Sequence, residues 1–334
     1  MSVVCPFFNE GALIVEAMRR MVANLDAQLQ SWELIFVNDG STDDGPRLLI
    51  LAMKETNDAR VRLISYPVNY GRGRALKTGM EFAAGEIIVT TEADCSWGDD
   101  VVKRLADVLR ANMDCDFVVA SPHRPGGKLI GVPAVRAFLT RWGNKLISLF
   151  FRSGLTMHTG MTRAYRREVI VPLQTYENGK EFHLEVLFKL LTLKFRAREI
   201  PATLSWEVRN KSQGKARPRA LDSAIVRAVR THFVFLFLAD PMRLFSSAAV
   251  FAFVVSAIFL GLAVHNLLVG EVAVFYAIMS MFFLLFGFLF IGFAVVLTRL
   301  RDQSVELWAR EYPAGRVVRP PPQEVRPCGP EAGN

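Results

Sequence analysis

The stretch that decides the fold is Glu33-Leu-Ile-Phe-Val-Asn-Asp-Gly-Ser-Thr-Asp43. An apolar run, Glu33–Asn38, ends abruptly in the polar turn Asn38-Asp39-Gly40-Ser41. The same change recurs on both sides of it. Upstream, the β-branched Ser2–Pro6 leads to Asn9-Glu10. Downstream, the strand read over Gly85–Glu92 (Ile87 to Thr91) leads to Glu92-Ala93-Asp94. Segments of helical character lie between these runs. Ala12–Leu29 repeats Leu13, Ala17, Met21 and Leu25 at helical spacing, and Pro46–Lys54, Gly73–Ala84 and Val101–Ala111 read as helices. Val61–Ser65 and Phe117–Ala120 complete the series of strands. Strands that alternate with helices predict an α/β protein, with a mostly parallel sheet covered on both faces. In such sheets ligands bind beyond the carboxyl ends of the strands. The three polar clusters fall at those ends.

Each cluster has a chemistry. Glu92 and Asp94, two residues apart at a strand end, can share a hard divalent cation with phosphate oxygens. As an alternative, Asp94 caps the next helix in a polar turn. Asp39 can accept hydrogen bonds from a ribose or a base, Gly40 permits a sharp turn, and Thr42 or Asp43 can cap the following helix. Asn69-Tyr70-Gly71-Arg72-Gly73-Arg74 places glycines and two arginines at a helix start. There, amides and charge could receive a diphosphate; a solvated loop is the plain alternative. His158 and His183 lie in apolar surroundings and read as structural. Cys5, Cys95, Cys115 and Cys328 have no metal-like spacing and read as free thiols.

The remaining signal is in composition. Of 334 residues, 51% are hydrophobic, and the formal net charge is +8. The apolar excess is local: Leu244–Gly270 and Val272–Thr298 are uncharged runs of 27 residues each, separated by Glu271. A helix needs about 20 apolar residues to cross the hydrocarbon core, so a transmembrane hairpin is expected, over about 244–268 and 273–298. Arg230, Arg243, Arg299 and Arg301 flank its outer ends, which predicts that both termini are cytoplasmic. No basic n-region or cleavage site marks a signal peptide. Charge is segregated as well. Residues 1–116 carry −6, residues 117–167 carry +9 without a single carboxylate, and residues 206–243 carry +5. The basic stretches suit phosphate or anionic lipid, and the hairpin argues against nucleic acid. Pro218–Asp240 reads as an amphipathic interfacial segment. Residues 299–334, proline-rich from Glu311, are expected to form a disordered tail.

The motifs also fall in a familiar order. Pro6-Phe7-Phe8-Asn9-Glu10 resembles the Pro-x-x-Asn-Glu opening of family 2 glycosyltransferases. Asn38-Asp39-Gly40-Ser41-Thr42-Asp43 resembles their Asp-Asp-Gly-Ser-x-Asp. Asn69 to Ala75 resembles their Asn-x-Gly-x-Gly-x-Ala, and Glu92-Ala93-Asp94 stands where they have Asp-x-Asp. Gly126-Gly127, Arg136, Thr140, Asn144 and Thr159 to Arg167 are similar to the polyprenyl-phosphate hexose synthase branch, of the dolichol-phosphate mannose synthase type. The resemblance covers about residues 2–215.

It implies a GT-A catalytic domain over 1–215, a juxtamembrane segment over 216–243 and the membrane hairpin over 244–298. It implies inverting transfer of a hexose from a nucleotide sugar, of the UDP-glucose or GDP-mannose type, to a polyprenyl phosphate at a bacterial inner membrane or its equivalent. Pro6, Asn9, Glu10, Asp39, Arg72, Arg74, Lys77 and Ala93 would bind the nucleotide sugar. Glu92, Asp94 and Ser96 would hold Mg²⁺ or Mn²⁺. Arg124, Arg136, Thr140, Lys211 and Lys215 would face the acceptor phosphate, with Asp94, Arg136, Thr140 and Arg209 as the catalytic set. Partners would be the donor, the lipid acceptor and membrane lipids, and a homo-oligomer is left open. Four departures stand out: Asn38 and Glu92 replace aspartates, Pro122 replaces an arginine, and Arg209 to Lys215 align poorly with the basic motif. They keep two rivals in view, transfer to another acceptor and an inactive membrane scaffold.

Overall fold

A computed structural model describes residues 1–132, 138, 140–145, 148, 154–205, 241–270, 272, 274–310 and 312. The expected βα series is present. Its elements are β1 (Ser2–Phe7), α1 (Leu13–Gln28), β2 (Glu33–Asp39), α2 (Gly45–Thr56), β3 (Val61–Tyr66), α3 (Arg72–Glu81), β4 (Ile87–Thr90), α4 (Val101–Ala111) and β5 (Phe117–Ser121). Then follow β6 (Lys128–Ile130), β7 (Arg163–Arg166), the short α5 (Arg167–Ile170), α6 (Phe182–Thr192), β8 (Ala197–Pro201) and β9 (Thr203–Ser205). Two long helices close the described chain, α7 (Pro241–Leu268) and α8 (Val274–Ala309).

Seven strands form one sheet in the order β3-β2-β1-β4-β7-β5-β8. β1, β2, β3 and β4 are parallel, as are β5 and β8. The mostly parallel sheet that was expected is present, and β7 is its antiparallel member, between β4 and β5. It follows β5 after the 122–162 connection, in which residues 140–145 are helical. β1 is buried along its whole length, because α1 covers one face of the sheet and α3 the other. Its Val3 and Cys5 belong to one core cluster, with Ile14, Met18 and Phe36. Val4 belongs to the other, with Val37, Leu76 and Val89. Two-sided burial explains why the strands read as continuous apolar runs. Pro6 is tolerated in this central strand because the β1–β4 ladder ends at Val4↔Thr90, so its missing N–H costs no ladder bond.

α7 and α8 form the apolar hairpin, turning at Val269 and Gly270, where Gly270 has φ +88°. Both helices are long and apolar enough to cross a membrane, and most of their Phe, Leu and Val side chains face outward. Close packing joins them. Ser256 Oγ donates to the Ser280 carbonyl at 2.8 Å, and Gly287 lets the Phe253 ring lie against its backbone. The expectation of a disordered tail is corrected over its first part only. α8 continues past Thr298 to Ala309, and Tyr312 is buried. Pro218–Asp240 and residues 313–334 lie outside the described residues.

α3 crosses the sheet closely enough that a Cβ on Gly79 would lie 2.4 Å from Val4 Cγ1 and 3.0 Å from Val37 Cγ2. Both valines are rigid and buried. Gly79→Ala is therefore expected to lower stability, because overpacking costs about 1–3 kcal/mol and exceeds the helix-propensity gain of about 1 kcal/mol. The thermal unfolding midpoint of the detergent-solubilised protein checks this.

Candidate active site

The carboxyl ends of β1, β2 and β4 lie side by side, because Phe7 pairs with Asn38 in register and Val4 with Thr90. The loops that leave these ends lock onto one another. Asn9, at φ +55°, accepts from the Thr42 amide at 2.8 Å, while its own amide donates to Ser41 Oγ at 3.0 Å. Asp43 accepts from the Gly11 amide at 2.7 Å and the Gly45 amide at 3.1 Å. Asn38 accepts from the Ser41 amide and donates through Nδ2 to Ser65 Oγ at 2.8 Å, on the register-paired strand. Ser65 Oγ can donate as well as accept, so a carboxylate at 38 could keep this contact, and nothing in the structure explains the Asn38 departure.

Asp39 is 4% exposed. Its Oδ1 accepts from Tyr66 Oη at 2.9 Å and from the Tyr70 and Gly71 amides at 3.0 and 3.1 Å, and Oδ2 accepts from Gly71 at 3.0 Å. The carboxylate thus anchors the loop into α3. Burial, and then the bond to Asp39, push the Tyr66 phenol well above its usual range. The helix-end amides expected to receive a diphosphate are also taken: Gly73 and Arg74 donate to the Asn178 carbonyl at 2.7 and 3.2 Å. No side chain fits at Gly73, where a Cβ would lie 2.6 Å from Phe182 Cβ. Lys77, expected at the donor, instead donates to the Thr175 carbonyl at 3.2 Å. What this loop delivers to the strand ends is Arg72, whose guanidinium pairs with Glu92 at 3.4 Å.

Glu92 receives two further donors, Trp97 Nε1 at 3.1 Å and Ser96 Oγ at 3.4 Å. Asp94 accepts from the Ser96 amide at 3.0 Å, and the next helix begins only at Val101, behind Asp100. Asp94 therefore does not cap that helix. Ser96 is buried with its hydroxyl on Glu92, so it supports Glu92 rather than standing as a third outward ligand. Among the described residues no three His, Cys, Asp or Glu side chains cluster as a metal cage. Two adjacent hard-oxygen carboxylates suit a cation that takes its other ligands from phosphate and water. Pro6 is buried in β1, and Glu10 and Ala93 are partly exposed at the same strand ends.

A second group forms at the ends of β5 and β8. Glu199 is buried and accepts from the Thr156 amide and hydroxyl and from the Met157 amide, at 2.8–3.1 Å. Arg124 reaches 4.0 Å from it and keeps 47% of its side chain exposed. Asn144 accepts from the His158 amide and donates to the Thr140 carbonyl. Arg124 and Thr140 are thereby tied to one loop, residues 154–158. Arg163, fully buried, donates to the His158 and His183 carbonyls at 2.5 and 2.9 Å. Burial, and then Arg163 and Arg72, hold the His183 imidazole well below its ordinary pKa and hence neutral. Arg136, Arg209, Lys211 and Lys215 lie outside the described residues. Sequence reasoning missed Tyr66, Arg163 and Glu199. Most of their partners lie 20 to 43 residues away in the chain, and spacing carries no signal for such contacts.

Comparison with known proteins adds the following. A family model, "Glycosyl transferase family 2", matches residues 2–171. The undecaprenyl-phosphate 4-deoxy-4-formamido-L-arabinose transferase of Salmonella paratyphi A is 28% identical over 200 residues, 60% of this chain and 58% of the relative. That of Shewanella sediminis is 30% identical over 170 residues, 51% of this chain and 49% of the relative. The chain thus spans about half the length of the curated relatives it matches. Glucosyl-3-phosphoglycerate synthase from Mycobacterium tuberculosis, solved with Mn²⁺, UDP and phosphoglyceric acid, has the same fold. Its TM-score is 0.52 at 19% identity, over 71% of this chain and 76% of that one. A complex of that enzyme with Mn²⁺, UDP-glucose and phosphoglyceric acid gives 0.51 at 20% identity, over 71% and 78%. The GT-A expectation is borne out at the level of fold.

Asp39→Ala removes the acceptor shared by Tyr66, Tyr70 and Gly71, and buried donors without partners cost about 1–3 kcal/mol. A fall in the unfolding midpoint is expected. Tyr66→Phe should cost less in the Asp39→Ala background than alone, a coupling that a double-mutant cycle measures.

Proposed function

The chain belongs to glycosyl transferase family 2, and we propose that it is a membrane-anchored, inverting transferase that moves a hexose from a nucleotide sugar to a polyprenyl phosphate. The observation that carries this reading is the pairing of two features in one chain. Glu92 and Asp94 stand with Arg72 at the carboxyl edge of the sheet, and an apolar hairpin with outward-facing side chains follows. The curated relatives are named for transfer to undecaprenyl phosphate, which supports a lipid phosphate as acceptor.

The chemistry is consistent with the residues. A phosphate monoester is already ionised near neutral pH, so its oxygen can attack the anomeric carbon without a general base. The bond from that carbon to the diphosphate breaks, and the nucleoside diphosphate leaves with the electron pair. The protein must hold donor and acceptor in line and balance the charge that develops. Glu92 and Asp94 are the residues that would hold Mg²⁺ or Mn²⁺, which would neutralise the leaving diphosphate. Arg72 is placed for the same charge. Pro6, Asn9, Glu10 and Ala93 would border the nucleoside, and Asp39 would act chiefly by anchoring the loop that presents Arg72. Arg124, Thr140 and, outside the described residues, Arg136, Arg209, Lys211 and Lys215 would form the acceptor side. The catalytic domain is assigned to about 1–215 and both termini to the cytoplasm, from the arginines that flank the hairpin.

One observation favours a second donor class. The relatives are named for an arabinose derivative, a five-carbon sugar, so a pentose-type nucleotide sugar belongs in the same assay.

Radiolabelled sugar transfer to purified polyprenyl phosphate, with UDP-glucose, GDP-mannose and a UDP-pentose as donors, tests the reading. Glu92→Gln and Asp94→Asn are each expected to lower Mg²⁺-dependent turnover by about 10²-fold or more, the loss typical of removing charge stabilisation. Normal turnover in both would remove the carboxylates from the mechanism. Arg136→Ala should raise the KM for the acceptor more than that for the donor. Alkaline carbonate washing should leave the full-length chain in the membrane pellet, and release into the supernatant would refute the hairpin as an anchor.

A further inference from the structure

The last turns of α8 do not hang free. Beyond Thr298 the less exposed positions are Arg301, Ser304, Val305, Trp308 and Ala309, a helical stripe with spacing of three and four residues. Val305, Trp308 and Ala309 pack on the main core cluster of the α/β domain, and Tyr312, 5% exposed, belongs to it. Tyr312 donates through Oη to the Val169 carbonyl at 2.8 Å, and its ring lies 5.1 Å from that of Phe195. The Trp308 ring meets Phe188 edge-on at 6.0 Å and lies under the Lys189 ammonium at 4.8 Å.

Lys189 is an unusual seat for such a contact. Its side chain is 3% exposed, and the ammonium is held by Glu185 at 2.8 Å and the Gln174 carbonyl at 2.7 Å, with the Tyr176 ring 4.5 Å away. The Glu185 carboxylate in turn accepts from the Tyr176 and Glu177 amides. The seat is therefore rigid and keeps its own partners whether or not Trp308 is there.

Length fixes what this docking does. At 1.5 Å per residue, Trp308 lies about 15 Å along α8 from the end of the apolar run at Thr298. The headgroup layer of one leaflet occupies roughly the first 5–8 Å of that distance. A continuous helix thus runs from the hydrocarbon core into the side of the α/β domain without a flexible joint. We infer that the end of α8 beyond Thr298, with Tyr312, is a strut that fixes the height and tilt of the catalytic domain above the bilayer, with Trp308 and Tyr312 as positioning residues. The inference rests on the proposed reading that the acceptor is a lipid embedded in that bilayer. Neither residue touches a substrate. Both act by holding the active-site edge where the lipid phosphate emerges.

The test uses the full-length chain and two acceptors, a long-chain polyprenyl phosphate in liposomes and a short-chain, water-dispersible isoprenyl phosphate. Trp308→Ala is expected to lower kcat/KM for the liposomal acceptor about tenfold and to leave the short-chain acceptor within about twofold. Trp308→Phe, which keeps an aromatic ring on Lys189, should restore most of the loss, and Tyr312→Phe should show a smaller loss of the same kind. Equal losses on both acceptors, or none on either, would overturn the proposal. Hydrogen exchange supplies a readout that needs no activity. In Trp308→Ala, exchange should rise over residues 302–309 while the Tyr176 and Glu177 amides stay protected. Unchanged exchange over 302–309 would overturn the strut. If the wild type transfers sugar to neither acceptor, the proposed function fails, and the exchange result alone decides the docking.

Discussion

The structure around the candidate site depends on one buried charge. Asp39 sits at the end of β2 with 4% exposure, and a carboxylate there must be surrounded by donors. The chain supplies them from Tyr66, Tyr70 and Gly71. Satisfying Asp39 pulls the 66–71 segment across the strand end and sets Gly71 at φ +105°, in the left-handed half of backbone space that suits glycine. It also starts α3 at the point where Arg72 meets Glu92. The nearby α3 amides, which could have bound an anion, are satisfied by the Asn178 carbonyl. Charge at this edge therefore comes from side chains, Arg72 on one side and Glu92 with Asp94 on the other.

Much of the α/β domain was legible because its signals are local. A strand buried on both faces has to be apolar without interruption, and Leu34–Val37 and Ile87–Val89 are. The turns that follow have to be polar because they face the ligand edge. Val101–Ala111 was readable to the residue, since its buried positions Val101, Leu105, Ala106 and Leu109 keep strict helical spacing. The antiparallel β7 was not legible. Its Arg163-Ala-Tyr-Arg166 carries charge at both ends, and only the folded partners, two carbonyls for Arg163 and those of Leu109, Asn112 and Cys115 for Arg166, make that composition acceptable in a sheet.

The sequence placed several candidate residues at neighbouring strand ends, but not their duties. Glu92, Asp94, Asp39 and Asn9 do converge. Whether a polar side chain faces outward or serves a neighbouring backbone depends on contacts remote in sequence, however, and spacing cannot supply them. Lys77 and Ser96 turned inward for that reason. The helical tail was missed for a different one. Arg299 and Arg301 end the hydropathy signal, whereas the helix itself is maintained by Val305, Trp308 and Ala309 resting on the α/β domain, and hydropathy does not register a docked stripe between charged residues.

Tyr312 has a consequence for how the molecule is made. It lies in the same buried cluster as Val169, Phe195 and Tyr165, residues synthesised more than a hundred positions earlier. Between them and Tyr312 come both apolar helices. Tyr312 therefore reaches its place among them only after both helices have been synthesised. Completion of this part of the core is thus ordered after the hairpin in the chain, and the contacts of Tyr312 with Val169 and Phe195 tie the end of the described chain back to its middle.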